Sequence, residues 1–355
     1  MRSICLMFLA VLMTALSGFA EDSGPYKVLK SAKVGGEGGW DYVTADSEGR
    51  RLYVGRSGNP GRIMVYDLDS LEKVGEIPNT MRVHGATASP KSHHGFASSN
   101  PVVMFDTKTF ETIKTIDVKG SPDGYLYDPF NDRVYILSHS KPNATVINAS
   151  DGSIAGVIDD MGGAPEEAAT DGKGTLYVDI EDKDNIAVID AKTLTVKAHY
   201  DVTGKGGGCA GLALDARNEI LFASCRNPQN MVILSARDGK ILETLPLAGS
   251  SDGTVFNPKT MEAFSSHGNG TLSIIKENSP TSFAVEQTLQ TMNGARTSTL
   301  DTKTGHVILI SAEYTPPPAA PAPPAPPSPD GRGGRGRGGR GQMVPDSFTI
   351  LVVGK

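Results

Sequence analysis

Apolar and polar residues alternate along most of this chain in short runs rich in Val, Ile, Thr and aromatics, cut apart by Gly, Asp, Asn and Pro. Alternation with a period of two, bounded by turn residues, marks half-buried β-strands. One stretch shows the whole grammar: Ala164–Asp171, the turn Gly172-Lys173-Gly174, Thr175–Val178, then Asn185–Thr193 and Thr195–Gly204. It predicts four antiparallel strands, termed a, b, c and d in chain order.

The unit repeats. Strand a closes on a polar residue at Asp46, Ser89, Asp128, Asp171, Asp215, Asn257 and Asp301, at spacings of 43, 39, 43, 44, 42 and 44 residues. Strand b begins near Tyr53, Phe96, Tyr135, Phe222, Phe264 and Ile308, each seven residues after its anchor; unit four is one residue short and has Tyr177 there. That period belongs to a four-stranded propeller blade. Six blades are complete. The seventh is split: residues 297–300, 306–311 and 348–353 supply strands a to c, and 26–34, at the other end of the chain, matches the missing d strand. The expected fold is all-β, a seven-bladed β-propeller of four-stranded antiparallel blades, closed by an N-terminal strand that completes the last blade and removes its exposed edge.

Four segments sharpen this reading: Leu52-Tyr53-Val54, Leu176-Tyr177-Val178, Ile186-Ala187-Val188-Ile189-Asp190 and Thr115-Ile116-Asp117-Val118-Lys119-Gly120. They resemble the YVTN-type, YncE-like β-propeller repeat family. The resemblance runs over nearly all of residues 21–355 apart from the Pro/Arg-rich tract between Ser311 and Ser347, and implies a seven-bladed propeller, usually exported, in a family whose functions are mostly unassigned. The asparagine that ends the family's Tyr-Val-Thr-Asn signature is absent; Gly55-Arg56 and Asp179-Ile180 follow the two best matches.

Composition adds an address. Residues 1–20 carry one basic residue, an apolar run from Ile4 to Leu16, and small residues at Gly18 and Ala20, the pattern of a secretory signal peptide too short to span a membrane. Its removal leaves residues 21–355 as a single propeller domain, periplasmic or secreted, with no transmembrane segment. The mature charge of −7, from 33 basic and 40 acidic residues, excludes a general attraction to nucleic acid or anionic membranes. Cys209 and Cys225 lie about opposite each other on strands a and b of blade five, where directly opposed residues are within disulfide reach, and an oxidising compartment favours the bond. A Pro/Gly/Arg-rich insert at about residues 315–345 replaces the b–c loop of blade seven. Its prolines favour extended backbone, and its glycine-arginine part is expected to be disordered. Its four arginines, Arg332, Arg335, Arg337 and Arg340, make it a candidate contact for an acidic polymer.

Candidate chemistry sits at one end of the ring. Five residues before the anchors come Asp41, His84, Asp123, Glu166, Ala210, Asp252 and Arg296, six of seven ionisable and all at the expected mouth of the central channel. On the neighbouring b–c side, ten or eleven residues after the anchors, come Arg56, Asn100, His139, Glu181, Arg226 and His267. Carboxylates suit hard cations and imidazoles suit transition metals, so a divalent cation is the candidate cofactor, held by His84, Asp123, Asp252 and His267. Ordinary turn chemistry also accounts for Asp-Gly at 123–124 and 252–253.

Gly204-Lys205-Gly206-Gly207-Gly208 enters a strand, not a helix, and so lacks phosphate-cradling geometry. Trp40 is expected to fill a blade interface. These features describe an exported, monomeric binding or scaffold propeller for a small polar ligand, cation or protein partner. The alternative is a cation-assisted, lactonase-like hydrolase with its site at the channel mouth.

Overall fold

The computed structural model describes residues 24–140, 143–316 and 342–355. The expected leader, residues 1–20, and the arginines of the insert lie outside the described residues. Among the described residues, twenty-eight strands form seven four-stranded antiparallel sheets. The innermost strands are Trp40–Asp46, Gly85–Ser89, Pro122–Asp128, Pro165–Thr170, Gly211–Asp215, Ser251–Asn257 and Ser298–Asp301, each ending at or next to its predicted anchor. Each contacts the innermost strand of both neighbours, which closes the ring.

Sequence pattern follows position within a blade. Strand b is covered by a blade on either side, so both of its faces are apolar: Leu52 and Val54 pack towards blade seven, while Tyr53 packs towards blade two, all with no exposed surface. The outermost strands face water along one side, and Thr195–Asp201 alternates half-buried and exposed positions. Aspartates hold the turns: Asp67 accepts the N–H groups of Asp69 and Ser70, and Asp190 those of Lys192 and Thr193. Short acidic side chains can bond backbone two or three residues on, which is why these turns read so clearly in the sequence.

The split blade forms as its halves predict. Lys27–Lys33 pairs antiparallel with Thr349–Gly354, which pairs with His306–Ser311 and then Ser298–Asp301. Tyr26 anchors the incoming chain to blade six: its N–H donates to Gln287 Oε1 at 2.9 Å, and Gln287 Nε2 donates to its carbonyl at 2.9 Å. Trp40 packs edge-on to Phe348, with centroids 5.2 Å apart, between blades one and seven. Thr315 and Gln342 hydrogen-bond to each other and pin the described ends of the insert together. Cys209 and Cys225 are joined, with an S–S length of 2.00 Å. Among the described residues, no helix is long and apolar enough to cross a membrane.

A local irregularity sets up the channel mouth. In blades one, three, four and six the register between strands a and b slips where the inner strand begins, after Trp40, Pro122, Pro165 and Ser251. An extra residue in one strand turns the side chains at that point out of the sheet's alternation. The residues falling there are Asp41, Asp123, Glu166 and Asp252.

Candidate functional site

Four of the inner-strand ionisable residues therefore owe their direction to a bulge, and they converge on a cavity of about 600 Å³ at the channel mouth. Asp41, Asp123, Glu166 and Asp252 line it from the inner strands and Arg296 from just before the inner strand of blade seven, with His139 and Arg226 from the b–c corners. Just beneath, Tyr42 and Tyr125 pack edge-on across the channel with centroids 5.4 Å apart. Both line a second cavity of about 320 Å³, which Glu166 shares with the mouth.

One cluster joins blades one to three. His84 Nδ1 lies 2.8 Å from Asp41 Oδ2 and 3.2 Å from Asp123 Oδ1. Burial alone would lower the His84 pKa; the hydrogen bond to Asp41 and the charge of Asp123 more than offset this and raise it. Burial raises the carboxyl of Asp123, His84 partly opposes that, and Asp41 adds to it.

A second cluster joins blades three to six. His139 Nε2 lies 3.1 Å from Glu181 Oε2 and 3.6 Å from Glu166 Oε2. Arg226 donates from Nη1 to Glu181 Oε1 at 2.5 Å, from Nη2 to Asp252, and from Nε to the Ser251 carbonyl at 3.0 Å. Arg296 Nε reaches Asp252 Oδ2 at 2.8 Å. Burial, with Asp123 and Glu181 nearby, pushes the Glu166 carboxyl up to about 8. The hydrogen bond to Glu181 raises His139.

Arg56 and His267 are not in the mouth. Arg56 is buried between blades one and seven, donates to the Gly36 and Gly38 carbonyls at 2.9 Å each, and lies 3.8 Å over the Phe348 ring. Burial brings its pKa down to about 10. His267 is buried inside blade six with Nε2 3.0 Å from Ser273 Oγ, and burial brings its pKa down to about 4. The expected metal set of His84, Asp123, Asp252 and His267 is thus not assembled: His84 and Asp123 meet Asp41 instead, and Asp252 is held by two arginines.

The reason is one residue of register. Arg56 and His267 follow their anchors by ten residues and pair with Trp40 and Ser251, whereas His139 and Arg226 follow theirs by eleven. Consecutive strand residues face opposite ways, so a one-step offset turns a side chain from the mouth into the sheet. Glu181 looks like a ten-residue case only because its a–b turn is one residue short. Its true equivalents are His139 and Arg226, since Ile180, just before it, pairs with Pro165.

Four further residues belong to the site. Glu167 reaches across the channel, where its Oε2 accepts the N–H groups of Leu212 at 2.7 Å and Thr254 at 3.3 Å; burial pushes it up to about 8 despite these bonds. Asp179 is fully buried with neither carboxylate oxygen hydrogen-bonded among the described residues, and burial together with Glu167, Glu166 and Glu181 raises it well above its ordinary range. Tyr42 and Tyr125 are the other two. The bulge lets the consecutive glutamates Glu166 and Glu167 both face the channel, which strict alternation would forbid.

No family model matches the chain, and no curated protein matches it. Among solved structures, the WD40 repeats of RRP9 superpose with a TM-score of 0.72 over 93% of this chain and 97% of that chain, at 10% identity. That likeness is one of fold, the seven-bladed propeller.

Proposed function

We propose that the protein is an exported binding propeller that receives a small, positively charged polar ligand at its channel mouth. The observation that carries this reading is the mouth cavity of about 600 Å³ into which carboxylates from blades one, three, four and six converge. Such a volume suits a small molecule, and a few convergent polar groups above an aromatic floor are what orient one. The apolar leader pattern, the Cys209–Cys225 bond and the YVTN-like repeat segments support export. The test is the thermal midpoint of tag-free protein against a panel of small amines, amino sugars and quaternary ammonium ions. A saturable rise that Asp252→Asn reduces is expected. A panel without effect on the wild type removes the proposal.

A second reading, cation-assisted hydrolysis of a lactone or ester, is favoured by Glu166. With its pKa near 8 it keeps its proton at neutral pH beside His139, the state a general acid requires. Turnover of a lactone and aryl-ester panel that disappears in Glu166→Gln would support it. An inactive wild type leaves only the binding function.

A further inference from the structure

We propose that Asp41, His84 and Asp123 form a site for one first-row divalent transition-metal ion, with its open positions facing the mouth cavity. This deepens the reading of the mouth as a binding site and rests on it.

Both carboxylates converge on the same ring nitrogen. His84 Nδ1 is 2.8 Å from Asp41 Oδ2 and 3.2 Å from Asp123 Oδ1, and the three atoms all lie within 4.8 Å of one another. A single N–H cannot give both carboxylates a well-directed hydrogen bond, and a protonated imidazole would satisfy two carboxylates better with one at each nitrogen. A metal ion answers the arrangement. With bonds of about 2.1 Å, neighbouring ligand atoms sit about 3.0 Å apart in octahedral and about 3.4 Å apart in tetrahedral geometry, which brackets the longer of the two spacings and lies close to the shorter. Two carboxylates balance a double positive charge. One imidazole with two carboxylates suits zinc or manganese better than calcium or magnesium, which take oxygen ligands.

The backbone holds these ligands in one connected frame. His84 N–H donates to the Ser98 carbonyl at 3.0 Å, and Ser98 Oγ donates to the Asp123 carbonyl at 2.6 Å. The His84 carbonyl accepts the N–H of Tyr42 at 3.0 Å, and Thr297 Oγ1 donates to the Asp41 carbonyl at 2.7 Å. Ligands fixed by their surroundings before an ion arrives are the mark of a prepared site.

The other cluster in the same mouth provides the contrast. His139, Glu166 and Glu181 are arranged alike, but Arg226 already brings positive charge to Glu181 and Glu166. Among the described residues, neither Asp41 nor Asp123 pairs with a lysine or arginine. Behind the mouth, the fully buried Asp179, two residues before Glu181, has no hydrogen-bond partner for either oxygen among the described residues.

The test is calorimetric titration of tag-free, chelator-stripped protein with Zn²⁺ and Mn²⁺, with Mg²⁺ and Ca²⁺ as controls. The variants are His84→Ala, Asp123→Asn, His139→Ala and His93→Ala/His94→Ala, each checked for an unchanged thermal midpoint in chelator. Expected is one equivalent of Zn²⁺ or Mn²⁺, weakened at least ~100-fold by His84→Ala or Asp123→Asn and retained in the other two variants. No binding by the wild type, binding lost only with His139→Ala, or binding lost only with His93→Ala/His94→Ala on the far side of blade two would each overturn the site. The amine panel run on the wild type separates the two ideas: a midpoint rise with metal binding absent leaves the mouth as an organic-cation site, whereas absence of both removes the shared reading.

Discussion

Arg226 Nη1 lies 2.5 Å from Glu181 Oε1, so a side chain from the b–c corner of blade five is locked to the same corner of blade four. Its other terminal nitrogen holds Asp252 of blade six, so one guanidinium ties three blades at the rim. The Glu181 and Asp252 side chains are 5% and 11% exposed, so removing the partner they share leaves buried charge with reduced compensation, from His139 at Glu181 and from Arg296 at Asp252. Breaking a buried pair typically costs ~3–5 kcal/mol; Arg226 is 27% exposed and water will take part of the load, so we expect ~2 kcal/mol for Arg226→Ala in urea unfolding. The loss should be larger at pH 8 than at pH 5, where the released carboxyls can take up protons. Equal losses at both pH values would show that the guanidinium acts by packing alone.

Stability should fall as pH rises through neutrality. Glu166 and Glu167 have folded pKa values of about 8, above the ordinary value of 4.5, so the folded chain binds protons more tightly than the unfolded one. Their contribution is complete below about pH 4.5 and is lost progressively towards pH 8. Glu167→Gln, which keeps the shape and removes the titration, should flatten this slope and gain ~2 kcal/mol at pH 8 relative to wild type, allowing for the water that reaches the channel. Asp301 acts in the opposite sense. Burial would raise it, but Arg50, at 2.9 Å, and Thr304 hold it well below the usual carboxylate range, so its contribution is present above its unfolded pKa and lost as pH falls below it. Unfolding free energies measured from pH 3 to 9 should therefore peak in mild acid. A maximum at pH 8 would contradict the Glu166 and Glu167 assignments.

Blade number, strand order and the split closure were legible because each is written many times. A repeated anchor residue and a buried strand b with two apolar faces survive the loss of any single clue, and residues 26–34 matched a gap in a pattern already established six times. The mouth was half legible. Register alone located Asp41, His84, Asp123, Glu166, Asp252 and Arg296, because each stands five residues before a well-marked strand end. It could not separate Arg56 from Ser57, or His267 from Gly268, since one residue decides the face and the short turn of unit four conceals the offset. Glu167, Asp179, Tyr42 and Tyr125 are set by contacts across the channel, between residues far apart in sequence, and no local pattern records those.

The Cys209–Cys225 bond closes a loop with a sequence separation of 16, directly before the rim residue Arg226. In the loop-entropy account a closed loop of that length is worth about 3 kcal/mol. The Cys209→Ala/Cys225→Ala double variant should lose about that much in chemical unfolding, and reduction of the wild type should reproduce it. Because Cys225 precedes Arg226, the double variant should also weaken binding of whichever amine stabilises the wild type. A variant that loses stability with ligand affinity intact would confine the bond to a structural role.

Phe348 is the keystone of the split blade. It is fully buried, its ring meets Trp40 at 5.2 Å, and the Arg56 guanidinium lies 3.8 Å above it. Phe348→Ala removes a large buried side chain and should cost ~3–5 kcal/mol. It also takes the aromatic face away from a buried cation whose remaining partners are backbone carbonyls. The damage should be local first. Strand Thr349–Gly354 begins at the next residue and carries the N-terminal strand Lys27–Lys33 on its outer edge, a pairing made between opposite ends of the chain. Amide exchange in Phe348→Ala should therefore speed up in residues 27–33 and 349–354 before it does in blades three and four. Phe348→Leu, which refills most of the volume without the aromatic face, should recover more than half of the stability. Uniformly faster exchange around the ring would mean that the closure is no weaker than any other blade.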